Sequence, residues 1–193
     1  MKMKMKKAAL FSILGFFLFI AIFLAAFYLL RFPEKIIYDR IIHSKGYSLH
    51  REEEPVSVKF FIKPEWIDQN TKEYKEMNIE LLRKHDTKLN LHYIMDRQID
   101  MYFGFQPEFE WDESGGEFLY NSILHGNGSV TTGMGAHEIT LYDVDHHEIP
   151  IGQRGSGPEA DFSFGIEPEN WDSIKDGFYV EYSGFYLYKY VRN

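Results

Sequence analysis

From Ala8 to Leu30 the chain carries no charged side chain, and four lysines (Lys2, Lys4, Lys6 and Lys7) precede that run with no acid among them. Its 23 residues would form a helix of ~34 Å, enough to cross a hydrocarbon core of ~30 Å. A helix satisfies its own backbone hydrogen bonds, so lipid tolerates it. A cleaved signal peptide would show a shorter apolar region, ~7–15 residues, before a small-x-small site. Here Ala25-Ala26 is followed by Phe27, Tyr28, Leu29 and Leu30, a poor cleavage site. The expectation is therefore a retained signal-anchor: residues 1–7 as a short cytoplasmic tail and 8–30 as a transmembrane helix.

Orientation rests on the flanking charges. Arg31, Lys35 and Arg40 nearly balance the four lysines, but Glu34 and Asp39 dilute that side. The reading is a single-pass protein of the cell membrane, N-terminus inside and C-terminal domain outside. Gly15, Ala21, Ala25 and Ala26 could let another helix approach closely, as in a structural subunit of a membrane complex.

Beyond the anchor, residues 31–193 hold 17 basic and 29 acidic residues, a formal charge of −12. That surface repels polyanions, so nucleic acid is not an expected partner. The chain has no cysteine, which removes disulfides, thiolate metal sites and a cysteine nucleophile from consideration. Stability must come from a core, and about 160 residues suffice for one.

Residues 31–54 read as a juxtamembrane helix and linker. Pro33-Glu34 could open the helix, Ile37 and Ile41 share its face, and Gly46 could end it. The external domain is assigned to 55–193. Val56, Val58, Phe60 and Ile62 alternate with Ser57, Lys59, Phe61 and Lys63 between Pro55 and Pro64, a strand signal. Asn70 to His85 reads as the one clear helix, capped by Asn70 or Thr71, with Tyr74, Met77, Leu81, Leu82 and His85 on one side.

From Lys88 the period becomes two. Leu89, Leu91 and Tyr93 alternate, as do Ile99, Met101, Phe103 and Phe105, and Phe118, Tyr120 and Leu124 suggest another run. Asn127-Gly128 favours a hairpin pairing Val130–Thr132 back on that run. Further strands are expected at 137–144, 148–151, 162–166, 178–183 and 185–191, with one helical turn at 171–176 after Pro168. The fold class is mainly β with one or two helices (α+β), an antiparallel sandwich or barrel-like domain behind the anchor.

No catalytic motif stands out. Asp143-Val144-Asp145-His146-His147-Glu148, with His137 and Glu138, offers calcium or zinc ligands. It lacks EF-hand spacing and the i, i+4 histidines of a helical zinc site, so a polar hairpin with arms Leu141-Tyr142 and Ile149-Pro150-Ile151 is the plainer reading. Gly126, Gly128, Gly133 and Gly135 fail the phosphate-loop pattern, because Met134 and not lysine follows Gly133. Gly155-Ser156-Gly157 lacks the spacing of a nucleophile elbow and reads as a loop.

Glu108, Glu110, Asp112 and Glu113 around Trp111 could suit glycoside chemistry but read as an acid-rich turn. Asn127-Gly128-Ser129 matches a glycosylation sequon. Trp66, Trp111, Trp171, Tyr179, Tyr182, Tyr186, Tyr188 and Tyr190 could form a ligand platform. One face of the last strand, Tyr186, Tyr188 and Tyr190, is wholly tyrosine, a binding surface if exposed and core if covered. The expected function is a non-enzymatic, membrane-tethered binding or interaction module for a protein or glycan. The alternatives are a metal-dependent hydrolase using the 137–148 cluster, or the structural subunit. No catalytic, cofactor or metal residue and no cofactor is assigned.

Overall fold

The computed structural model describes residues 17–20, 22, 39–43, 45–67, 74–125, 127, 129–132, 139–157 and 160–193. The chain divides into two compact units, Met1–Asp39 and Arg40–Asn193. In the first, residues 17–20 and 22 are helical, with Phe17, Leu18, Phe19 and Ile22 exposed. The rest of the expected span lies outside the described residues, and among these no helix is long and apolar enough to cross a membrane.

The second unit is built from antiparallel sheets with few helical turns. Its strands are β1 (Tyr47–Ile62), β2 (Lys75–Lys84), β3 (Thr87–Asp96), β4 (Met101–Phe109), β5 (Gly115–Tyr120), β6 (Ser122–Leu124), β7 (Val130–Thr132), β8 (Ile139–Tyr142), β9 (Glu148–Ile149), β10 (Arg154–Gly157), β11 (Ala160–Ile166) and β12 (Phe178–Arg192). A single helical turn, α1 (Trp171–Ile174), follows a 3-10 turn at Pro168–Asn170, where a helical turn was expected.

The first sheet runs β1-β12-β8-β9 and the second β10-β11-β4-β3-β2. In the first, β1 covers one edge of β12 from Tyr47↔Arg192 to Ile62↔Phe178. The other edge of β12 takes β8 against Tyr179–Tyr182 and β5 against Tyr186–Val191, end to end. The sheets pack face to face through aromatic rings: Phe60 meets Phe105 at 5.4 Å, Phe103 meets Phe178 at 5.3 Å, and Phe162 stacks on Tyr182 at 4.1 Å. Ring pairs of this kind add to area burial, and they join the facing sides of the two sheets.

Alternation explains most of these strands. Met101, Phe103 and Phe105 of β4 are fully buried, whereas Ile99, expected on the same face, is exposed in the β3–β4 turn. Leu89 and Leu91 of β3 enter the core, but an irregularity between Leu91 and Tyr93 turns Tyr93 to the opposite face, against Tyr102 and Ala160. The strand expected after Pro55 begins at Tyr47, so Pro55 lies within it. The ladder tolerates the proline because β1 is an edge strand and its register shifts between Arg51 and Pro55. Pro55 and the adjacent Glu52-Glu53-Glu54 also discourage a foreign strand from pairing there.

The helix expected over Asn70–His85 is absent. Residues 70–73 lie outside the described residues, and 75–84 form β2. The same residues carry two periods. Met77, Ile79 and Leu81 alternate with Glu76, Asn78 and Glu80, and tertiary pairing selects that one, because all three pack on the core beside β3. Irregularities near Asn78, which has φ +49°, blur the alternation in the sequence. The turn into β3 is His85-Asp86, with φ +52° and +49°, between the paired Lys84 and Thr87. Two left-handed residues suit a two-residue hairpin, and His and Asp are among the few side chains that tolerate them.

Candidate ligand-binding face

Residues 143–147 form the turn of the β8–β9 hairpin, with Leu141 opposite Ile149 and Tyr142 opposite Glu148 in the strands. Asp143 organises it. Its Oδ1 accepts the backbone N–H of Asp145 at 2.9 Å and of His147 at 2.8 Å, and its Oδ2 lies 3.2 Å from His147 Nδ1. The His147 N–H bond chiefly holds the Asp143 carboxyl below its ordinary range. The carboxylate is thus engaged with its own turn. His146, at φ +65°, leaves the turn and stacks on Tyr179. His137 and Glu138 lie outside the described residues, among which no three His, Cys, Asp or Glu side chains gather where they could hold a metal.

The other sequence candidates are tied up in packing. Trp66 and Trp171 pack on the main core, and Trp171 Nε1 donates to Ile166 O at 3.1 Å. Trp111 packs against Phe109, Phe118 and Tyr190. Glu108 and Glu110 face Lys88 at 3.7 and 3.3 Å, Glu110 also bonds Arg83, and Glu113 lies 3.7 Å from Arg192. Asp112 accepts the Ser114 hydroxyl and N–H, which lower its carboxyl's pKa. Gly155-Ser156-Gly157 lies in β10, not in a loop. Gly126, Gly128, Gly133 and Gly135 fall outside the described residues.

The tyrosine face of the last strand is mostly covered. Tyr188 and Tyr190 are buried, and Tyr186 is half-buried under the Arg51 guanidinium, 4.8 Å from its ring. The Tyr188 hydroxyl donates to Ser122 O at 3.0 Å and accepts from Leu124 N at 2.9 Å. The Tyr190 hydroxyl does the same with Asp112, donating to its O and accepting from its N. Burial pushes both phenols above their usual pKa. These two tyrosines are core, with their hydroxyls satisfied by backbone.

A different aromatic row remains at the surface. Register puts Phe61 of β1, Tyr179 of β12 and Tyr142 of β8 side by side on three adjacent strands. Their chain neighbours Phe60, Ile62, Phe178, Val180 and Leu141 point into the core, so these three take the outer face. All three are half-buried. The Phe61 and Tyr179 rings sit 4.8 Å apart at 54°, and His146 stacks on Tyr179 at 5.4 Å and 23°.

Lys59, one rung along, holds its ammonium 5.4 Å from the Tyr142 ring and 5.6 Å from the Tyr179 ring. Gly177, at φ +87°, lies against the Phe61 ring, and a Cβ there would overlap it. The Phe61 ring therefore lies close against backbone, and the row is bordered by Lys59, Glu181 and Thr140 on the next rung. Such a row offers flat apolar area with polar groups at its margin. One signal for it exists in the sequence: Phe61 is aromatic at a position that alternation assigns to solvent.

Comparison with known proteins finds no family model, no curated sequence and no solved structure that matches the chain.

Proposed function

We propose that this is a single-pass, membrane-anchored protein whose external β-sandwich binds a protein or glycan partner, without catalysis, through the Phe61–Tyr179–Tyr142 row. The row carries the reading. Rigid aromatic rings supply contact area at low entropic cost, and both sugars and protein side chains stack on them. Position supports it too. The chain enters β1 at Tyr47, and Phe61 lies 14 residues further along the same strand, ~46 Å away at ~3.3 Å per residue. The charge-free run 8–30 supports the tether.

The test uses full-length protein in vesicles, an oligosaccharide panel, and fractionated extracellular proteins as probes. Tyr179→Ser and Phe61→Ser, with Tyr186→Ser as a control on the same strand, should separate the row from the rest of the sheet. The first two should abolish a binding that Tyr186→Ser keeps, with unfolding curves showing all three folded. Binding that survives the paired Tyr179→Ser and Phe61→Ser change would sink the proposal.

A further inference from the structure

Of the asparagines in this chain, Asn127 alone is followed by glycine. It lies exposed between β6 and β7, where His125 N donates to Ser129 O at 2.9 Å to close the hairpin. The Asn127 Oδ1 accepts two hydrogen bonds from Ser129, one from the backbone N–H at 2.9 Å and one from the hydroxyl at 2.7 Å. Both draw electron density from Cγ and would stabilise negative charge growing on that oxygen. The next backbone nitrogen belongs to a residue with no side chain to shield it.

We propose that Asn127 is a site of spontaneous covalent modification, converting to a mixture of aspartate and isoaspartate without an enzyme. The Gly128 backbone nitrogen loses its proton to hydroxide and bonds to Asn127 Cγ. The Cγ–Nδ2 bond then breaks, and the former amide takes a proton and leaves as ammonia, closing a succinimide. Water adds to one of the two ring carbonyls and cleaves that carbon's bond to the ring nitrogen. Opening at Cγ gives aspartate, and opening at the main-chain carbonyl gives isoaspartate. Nothing is oxidised or reduced.

The molecule supplies its own comparison. Asn121 is also followed by a small residue, Ser122, yet it is 2% exposed and its Nδ2 donates to Asp161 O at 2.6 Å. Asn78 and Asn90 lie in strands and precede the bulky Ile79 and Leu91. Either product adds a negative charge to the hairpin, and isoaspartate also lengthens the main chain by one methylene inside the turn that Ser129 closes.

The experiment incubates full-length protein, purified in detergent, in warm and mildly alkaline buffer and maps peptides by mass over time. The expected result is conversion at Asn127 well ahead of Asn121, as a pair of aspartate and isoaspartate peptides, faster at higher pH. Gly128→Ala should slow it by on the order of tenfold, because a Cβ then shields the nitrogen. Ser129→Ala should slow it by a smaller factor. The proposal is overturned if Asn127 keeps its amide while Asn121 converts, or if Gly128→Ala reacts as fast as the native chain. A glycan on Asn127 in protein from its natural source would overturn it equally, since that amide no longer leaves as ammonia.

Discussion

Asp161 of β11 should make the domain less stable as pH rises, and removing its charge should reverse that. Burial alone pushes its carboxyl from 3.8 up to about 6, with no compensating cation. The backbone carbonyl of the same residue is clamped by Asn121, so the segment is not free to swing into water. Below pH 3.8 the group is protonated folded or unfolded and contributes nothing. Between 3.8 and about 6 the unfolded chain ionises while the folded one keeps its proton, so stability falls with rising pH. Above that window the loss is complete. At ~1.36 kcal/mol per pKa unit it is at most ~3 kcal/mol, and partial access of water reduces a realistic value to ~1–2 kcal/mol. Asp161→Asn should therefore stabilise the domain by ~1–2 kcal/mol at neutral pH, several degrees of Tm, and by nearly nothing near pH 4. Urea unfolding of both proteins across that range measures it. A gain that does not change with pH, or a loss at neutral pH, would refute the reasoning.

Two further predictions concern polar groups taken out of water. Arg97 Nε and Nη2 grip the buried Asp100 carboxylate at 2.7 and 2.5 Å, and the guanidinium lies 3.7 Å from the Tyr102 ring centre. Arg97→Ala should cost about 3–5 kcal/mol by leaving that charge alone, and the double change with Asp100→Asn should recover part of it; a loss under ~1 kcal/mol in denaturant titration would contradict this. Tyr188→Phe strands Ser122 O and Leu124 N beneath the aromatic cluster and should cost roughly 1–3 kcal/mol. Faster amide exchange of Leu124 would localise that loss, and unchanged exchange would argue against it.

Much of the architecture is legible in the chain because period two is a local property. The β4 core residues, the β8–β9 hairpin and the pairing of β6 with β7 all follow from alternation and turn residues. Where two periods coincide, as over Met77, Leu81 and Leu82, local pattern cannot choose, and the unsatisfied edge of β3 makes the choice instead. Tyr93 changes face through one irregular residue pair, which alternation cannot foresee. The short β10 is hidden by its glycines, where the Tyr102 hydroxyl lies over Gly155. The candidate face was the least legible. Its three rings come from positions far apart in the chain, and strand order alone makes them neighbours.

The course of β1 beside β12 has a mechanical meaning. Asn193 N donates to Gly46 O at 2.9 Å, so the entry to β1 and the end of β12 meet at one end of the sheet. Tension between Tyr47 and the C-terminus would unzip the pair one bond at a time. Tension between Tyr47 of β1 and something held at Tyr179 of β12 pulls on opposite ends of the two strands and loads the ladder in shear, bonds sharing the force together. A pull on Tyr47 opposed by a hold on Tyr179 is the loading that this sheet resists best.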